Sequence, residues 1–202
     1  MSGNLLARSI HDLTAAAWFG GSLMGAVGLN GATAEAKDPT ERTRLSSLGW
    51  KRWAPVQTAA FAAHLGTWAP ILWENKGRYT TQHGVMRWTW IKAGVTVAGA
   101  AVTLYSGVLG KKVEELSQQG ARGATEPSPT ASPELQKAQD QLRMLQWTIP
   151  VFAGTVIVLG AQHGELQRPR NLKPKGLGTV QALADLVPAK GTSKIAKSLL
   201  AS

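Results

Sequence analysis

The chain of 202 residues contains no cysteine. Disulfides and thiolate metal sites are therefore excluded. Methionine is scarce, with four residues including Met1, so soft-metal handling has little to work with. Acids are few: 12 Asp and Glu face 22 Lys and Arg, a formal charge of +10. A protein so basic suits an anionic partner, whether nucleic acid, anionic lipid or an acidic protein surface. Also missing are a nucleophile with a paired base, a metal-ligand cluster, a phosphate-binding loop and a carboxylate pair within an apolar run. No enzyme class is indicated, and no cofactor is required by the residues themselves.

Long apolar runs, by contrast, are present. The mean hydropathy of −0.09 hides them, because polar residues come in blocks. Leu5–Leu29 carries only Arg8 and Asp12, both near its start. Pro55–Trp73 has no formal charge, Ile91–Leu109 has only Lys92, and Met144–Gln162 has none. Each is close to the ~20 residues that cross ~30 Å of hydrocarbon. Strand-like alternation is absent, and a single lipid-exposed segment satisfies its own backbone only as a helix. The expected fold class is all-α: an integral membrane bundle of four transmembrane helices, over about 5–29, 55–73, 90–119 and 133–165. Residues 1–167 form this domain and 168–202 a basic tail.

The tryptophans fit that reading. Trp50, Trp53, Trp73, Trp88, Trp90 and Trp147 fall at segment ends, where an indole ring is buried and its N–H stays wet. The first run is too long, and its start too little basic, for a cleaved signal. Lys and Arg divide 12 to 10 between the two sides, with Arg78, Arg87, Lys92, Arg168, Arg170, Lys173 and Lys175 close to helix ends. The positive-inside bias then puts both termini in the cytoplasm of a bacterial plasma membrane.

Gly120–Ser132 is rich in small and turn-forming residues and is expected to be mobile. Ser132, Pro133 and Glu134 are a helix start: a capping hydroxyl, a proline at the first position and an acid at the positive helix end. Helices three and four should thus project past the bilayer as a hairpin. Pro70 and Pro150 should kink helices two and four. In the tail, Arg168, Arg170, Lys173 and Lys175 suit lipid headgroups or a partner. The tail has no aromatic residue for base stacking, which argues against nucleic acid.

Gly21 and Gly25 form a G-x-x-x-G pair, and Thr96, Gly99, Thr103 and Gly107 make a similar strip. Small residues let helices approach closely in lipid. Three histidines, His11, His64 and His163, lie in or at the ends of the runs; His83 lies in a loop. His11 and His163 are expected at similar depth on one side, with Gln162 or His163 as hydrogen-bond partners of His11. An ionisable group in a span is a functional candidate by default.

His11, Trp18, Gly20 and Gly21 have the spacing H-x6-W-x-G-G. This resembles the first helix of small bacterial membrane families, the copper-resistance D-like proteins and the membrane-bound protoporphyrinogen oxidase family. In the latter the helix-one histidine is implicated in haem binding, which implies His11 as a haem ligand. Two functions follow. The first is a non-catalytic accessory or scaffolding subunit, contacting other membrane subunits and anionic lipid headgroups. The alternative is a haem b-binding redox protein using His11 and His163, or less readily His64.

Overall fold

The computed structural model describes residues 5–77 and 84–166 of the chain. It is mostly helical, with four long helices. The first, α1 (Leu5–Met24), passes through a five-residue π turn (Gly25–Leu29) into a short α2 (Asn30–Ala34). A second hairpin arm, α3 (Pro39–Gly66), is followed by α4 (Trp68–Glu74). Then come α5 (Val85–Glu115) and α6 (Pro133–Glu165). Of these, α5 and α6 are long and apolar enough to cross a membrane. At ~1.5 Å per residue both also exceed a bilayer's ~30 Å hydrocarbon core.

The most extensive pairings are α5 with α6, α1 with α6 and α1 with α3. The core of the bundle is Ala15, Trp18, Ile149, Ala153 and Val156, with Phe61 and Phe152 packed against it. A second, separate core of Leu109, Val113, Ala131, Leu135 and Ala138 holds the far ends of α5 and α6 together. The far ends of α5 and α6 thus pair as a hairpin. Ser132 caps α6, its Oγ accepting from the Leu135 N–H at 3.3 Å.

Three expectations need correction. The second helix begins at Pro39, not near Pro55, because Asp38 caps it: its carboxylate accepts from the Thr40 N–H at 2.8 Å. That bond holds the Asp38 carboxyl below its ordinary range. The third helix likewise begins at Val85 and ends at Glu115, with a 3₁₀ turn over Ser117–Gln119. The stretch 120–131 is folded rather than loose. There β1 (Ala121–Gly123) pairs antiparallel with β2 (Glu126–Pro127), and the fully buried Gln139 donates to the Gly123 and Ala124 carbonyls, each at 3.1 Å. Gly120 turns the chain with φ +68°, a backbone conformation that suits glycine.

The two prolines also differ from each other. Pro150 sits inside an unbroken α6. Near Pro70 the helix is interrupted at Thr67, one turn earlier, since proline has no N–H to give the Gly66 carbonyl.

The glycine pair acts by a different route from close backbone approach. A Cβ on Gly21 would fall inside the Trp53 indole, and one on Gly25 inside that of Trp50. A Cβ on Gly99 would meet the Trp18 ring, whose Nε1 donates to Thr103 at 3.2 Å. The glycines are slots for indoles from facing helices. Trp50 and Trp53 therefore turn onto α1, whereas Trp73 and Trp90 are exposed.

Candidate functional site

The interruption at Thr67 matters because of what faces it. Nearly two turns into α1, His11 lies against the end of α3. The His11 and His64 rings stack with centroids 3.7 Å apart and planes 19° from parallel. Both are buried, at 5% and 2% exposure. Each ring reaches the other residue's main chain: His11 Nδ1 lies 3.2 Å from the His64 carbonyl, and His64 Nδ1 lies 3.0 Å from the His11 carbonyl.

These contacts assign the tautomers. A carbonyl only accepts, so each Nδ1 carries the hydrogen. The flanking hydroxyls agree. Thr67 Oγ1 gives its hydrogen to the His64 carbonyl at 2.8 Å and so accepts from His11 Nδ1 at 3.1 Å. Thr14 gives its hydrogen to the Ile10 or His11 carbonyl and accepts from His64 Nδ1 at 3.2 Å. Both Nε2 atoms are then bare lone pairs. That of His11 accepts from the Lys92 ammonium of α5 at 3.1 Å. That of His64 is buried and has no hydrogen-bond partner.

A second polar cluster lies at the opposite end of α1. The π turn, closed by the Asn30 N–H on the Gly25 carbonyl, directs the Asn30 side chain inward. Its Oδ1 accepts from Ser46 Oγ at 3.0 Å and Trp50 Nε1 at 3.1 Å. Its Nδ2 donates to Gln146 Oε1 at 3.0 Å, and Gln146 donates on to Thr125 Oγ1 at 3.4 Å. One amide thus joins α2, α3 and α6.

Of the histidines singled out by sequence, His11 and His64 are brought together. His163 lies in the last turn of α6 and is not a partner of the His11 ring, whose nitrogens are engaged by His64, Thr67 and Lys92. Gln162 is not a partner either. Gly21, Gly25, Gly99 and Thr103 are packing positions, through indoles as described. His83, Arg78 and the tail residues Arg168, Arg170, Lys173 and Lys175 lie outside the described residues. Sequence reasoning missed Lys92, Thr67, Asn30 and Gln146 as members of polar clusters. Lys92 had a signal, being the one charge in its apolar run. Asn30 had none, because the π turn that aims it inward leaves no trace in composition.

Among the described residues no group of three or more His, Cys, Asp or Glu could hold a metal ion. No protein-family model, curated protein or solved structure matches the chain.

Proposed function

We propose that the chain is a four-helix integral membrane protein of the bacterial plasma membrane, acting as a non-catalytic accessory or scaffolding subunit. The observation that carries this is the spacing of the two polar clusters. From His11 to Asn30 is 19 residues, or roughly 28 Å of helix. From His64 to Ser46 on α3 is 18 residues, roughly 27 Å. These spans approach the ~30 Å of a bilayer core. Many outward side chains along these spans are large and apolar, Val27, Val56, Val97, Leu104, Val151 and Val158 among them, while on α3 Lys51 and Arg52 are exposed near the Ser46 end. A water-soluble bundle would gain nothing from such a belt. The ion pairs Lys51–Glu114 and Lys112–Glu134 lie toward the Asn30 end of the bundle, Lys51 little more than a turn inside Ser46 on α3. α3 is the most polar of the four long helices, and it and α1 cross as partners of α5 and α6. The projecting hairpin and the basic tail supply contacts for other membrane subunits and for anionic lipid headgroups, with both termini cytoplasmic.

Membrane fractions washed with alkaline carbonate should retain the protein, and release into the supernatant would end the membrane reading. Mild-detergent purification should recover it with stoichiometric partner subunits. Recovery as a lone chain from its native membrane would end the scaffold reading.

Haem b binding, implied by the first-helix resemblance, keeps one observation in its favour. Ligating histidines characteristically donate their other ring N–H to a carbonyl, as both His11 and His64 do. The stacked rings leave no slot for a porphyrin between them, so a haem would need the pair to separate. His64, stacked on His11, is then a nearer second ligand than His163, which lies in the last turn of α6. A Soret band in the purified protein, lost in His64→Ala, would establish this reading over the first.

A further inference from the structure

Lys92 is the least compensated group in the first cluster. Its ammonium has three N–H donors. One of them meets His11 Nε2 at 3.1 Å. Among the described residues no carboxylate lies within 4.0 Å of it. Asp12, whose charge reaches it from farther off, is exposed. Lys92 itself is only 9% exposed, and a buried ammonium without a contacting counter-ion is costly in a low-dielectric interior.

Beside it there is room. A Cβ on Gly160 of α6 would stand 3.4 Å from Lys92 Nζ, and no other neighbouring group lies within 4 Å of that point. Any other residue would fill this notch with a side chain. In the same cluster the buried Nε2 of His64 waits for a donor. One turn from Gly160 on the same side of α6, Ile157 is 38% exposed and offers apolar surface next to the notch.

We propose that the Lys92 ammonium, at the Gly160 notch, holds the oxyanion of an anionic amphiphile, a fatty-acid carboxylate or a lipid phosphate. The spare N–H groups of Lys92 donate to its oxygens, and the apolar tail lies along the α5–α6 face. The ligand supplies the counter-charge that the protein withholds. The inference rests on the membrane reading above, since the tail would lie in lipid.

The test is calorimetric titration of the purified full-length protein in nonionic detergent. The probes are palmitate, phosphatidylglycerol, acetate and inorganic phosphate. Palmitate or phosphatidylglycerol should saturate one site, and which of them binds tighter identifies the headgroup. Lys92→Gln should weaken that binding at least about tenfold. Gly160→Val, which keeps the charge and fills the notch, should do the same with unchanged helical circular dichroism, and decides the matter if Lys92→Gln does not fold. Lys137→Gln, on the projecting hairpin, should leave affinity unchanged. Undiminished binding in the Gly160 variant, or no saturable binding of any probe, overturns the proposal. Acetate or phosphate binding as tightly as palmitate overturns the amphiphile. Release of the protein by carbonate would remove the membrane reading, and that result is independent of the titration.

Discussion

The two polar clusters of the bundle are built on opposite plans. At the Asn30 end every polar group is neutral and the central amide makes three of its four hydrogen bonds: Asn30 gives one and accepts two. At the His11 end a charge is buried, one imidazole lone pair has no partner, and the rings are held by each other's main chain. A satisfied network specifies how helices dock, and a partly satisfied one stores cost. The difference teaches where to look for structure and where for function. The Asn30 cluster ties α2, α3 and α6 into one arrangement, and the His11 cluster keeps chemistry in reserve.

The largest effect should come from Gly25→Leu. The side chain would displace the Trp50 ring and remove that ring's bond to Asn30. Overpacking costs about 1–3 kcal/mol, and the lost bond leaves a buried acceptor short of a donor. A large fall in melting temperature in detergent is expected; a fall no larger than that of a surface variant would show that the indole slot is dispensable.

Asn30→Leu comes next. It removes three hydrogen bonds and leaves Ser46, Trp50 and Gln146 without their shared partner, for an expected loss of about 2 kcal/mol. Lys92→Met sharpens the contrast. It strips the donor from His11 Nε2 but also removes a buried charge, and apolar replacement of buried ions is often neutral or stabilising. Its melting temperature should match or exceed the wild type's in ligand-free protein. If Lys92→Met destabilises as much as Asn30→Leu, the two ends are alike and the comparison fails.

Smaller still is the effect at Gln139. Gln139→Leu should leave the bundle folded while amide exchange quickens across 121–127, the segment that its amide holds. Exchange that is already fast in the wild type would contradict the folded strand pair. The smallest effect concerns pH. The Asp38 carboxyl is held below its ordinary value of 3.8 by the Thr40 N–H, so its cap is fully in place above that value. The contribution is lost as pH falls through the lowered value. Acid below about pH 4 should fray the first turn of α3 before either cluster responds, as amide signals from Thr40–Thr43 would report.

Some elements were readable one residue at a time. Ser132–Pro133–Glu134 announced the start of α6, and α6 begins at Pro133. The end of α3 was misplaced by the same kind of reasoning: Pro70 promised a kink, and the interruption falls at Thr67, where the missing N–H is felt a turn earlier. The start of α3 was hidden because 39–54 is too polar to look like part of an apolar run, although Asp38 caps it. The fold of 120–131 was hidden because its stability comes from Gln139, distant in sequence, and from burial of Ala121 and Ala131.

The sequence by itself determined that the chain is helical, where its apolar runs lie, and which residues cap α6, because hydrophobic blocks and caps act over a few neighbouring residues. The tertiary structure decided the rest. Which way each helix is rotated, and which helix it faces, depends on side chains 50 to 80 positions apart finding one another. That is why His11 meets His64 and Lys92 rather than the end of α6. It is also why two glycines spaced for close helix contact receive tryptophan rings instead: a slot without a Cβ admits either a backbone or a ring, and only the facing helix settles which.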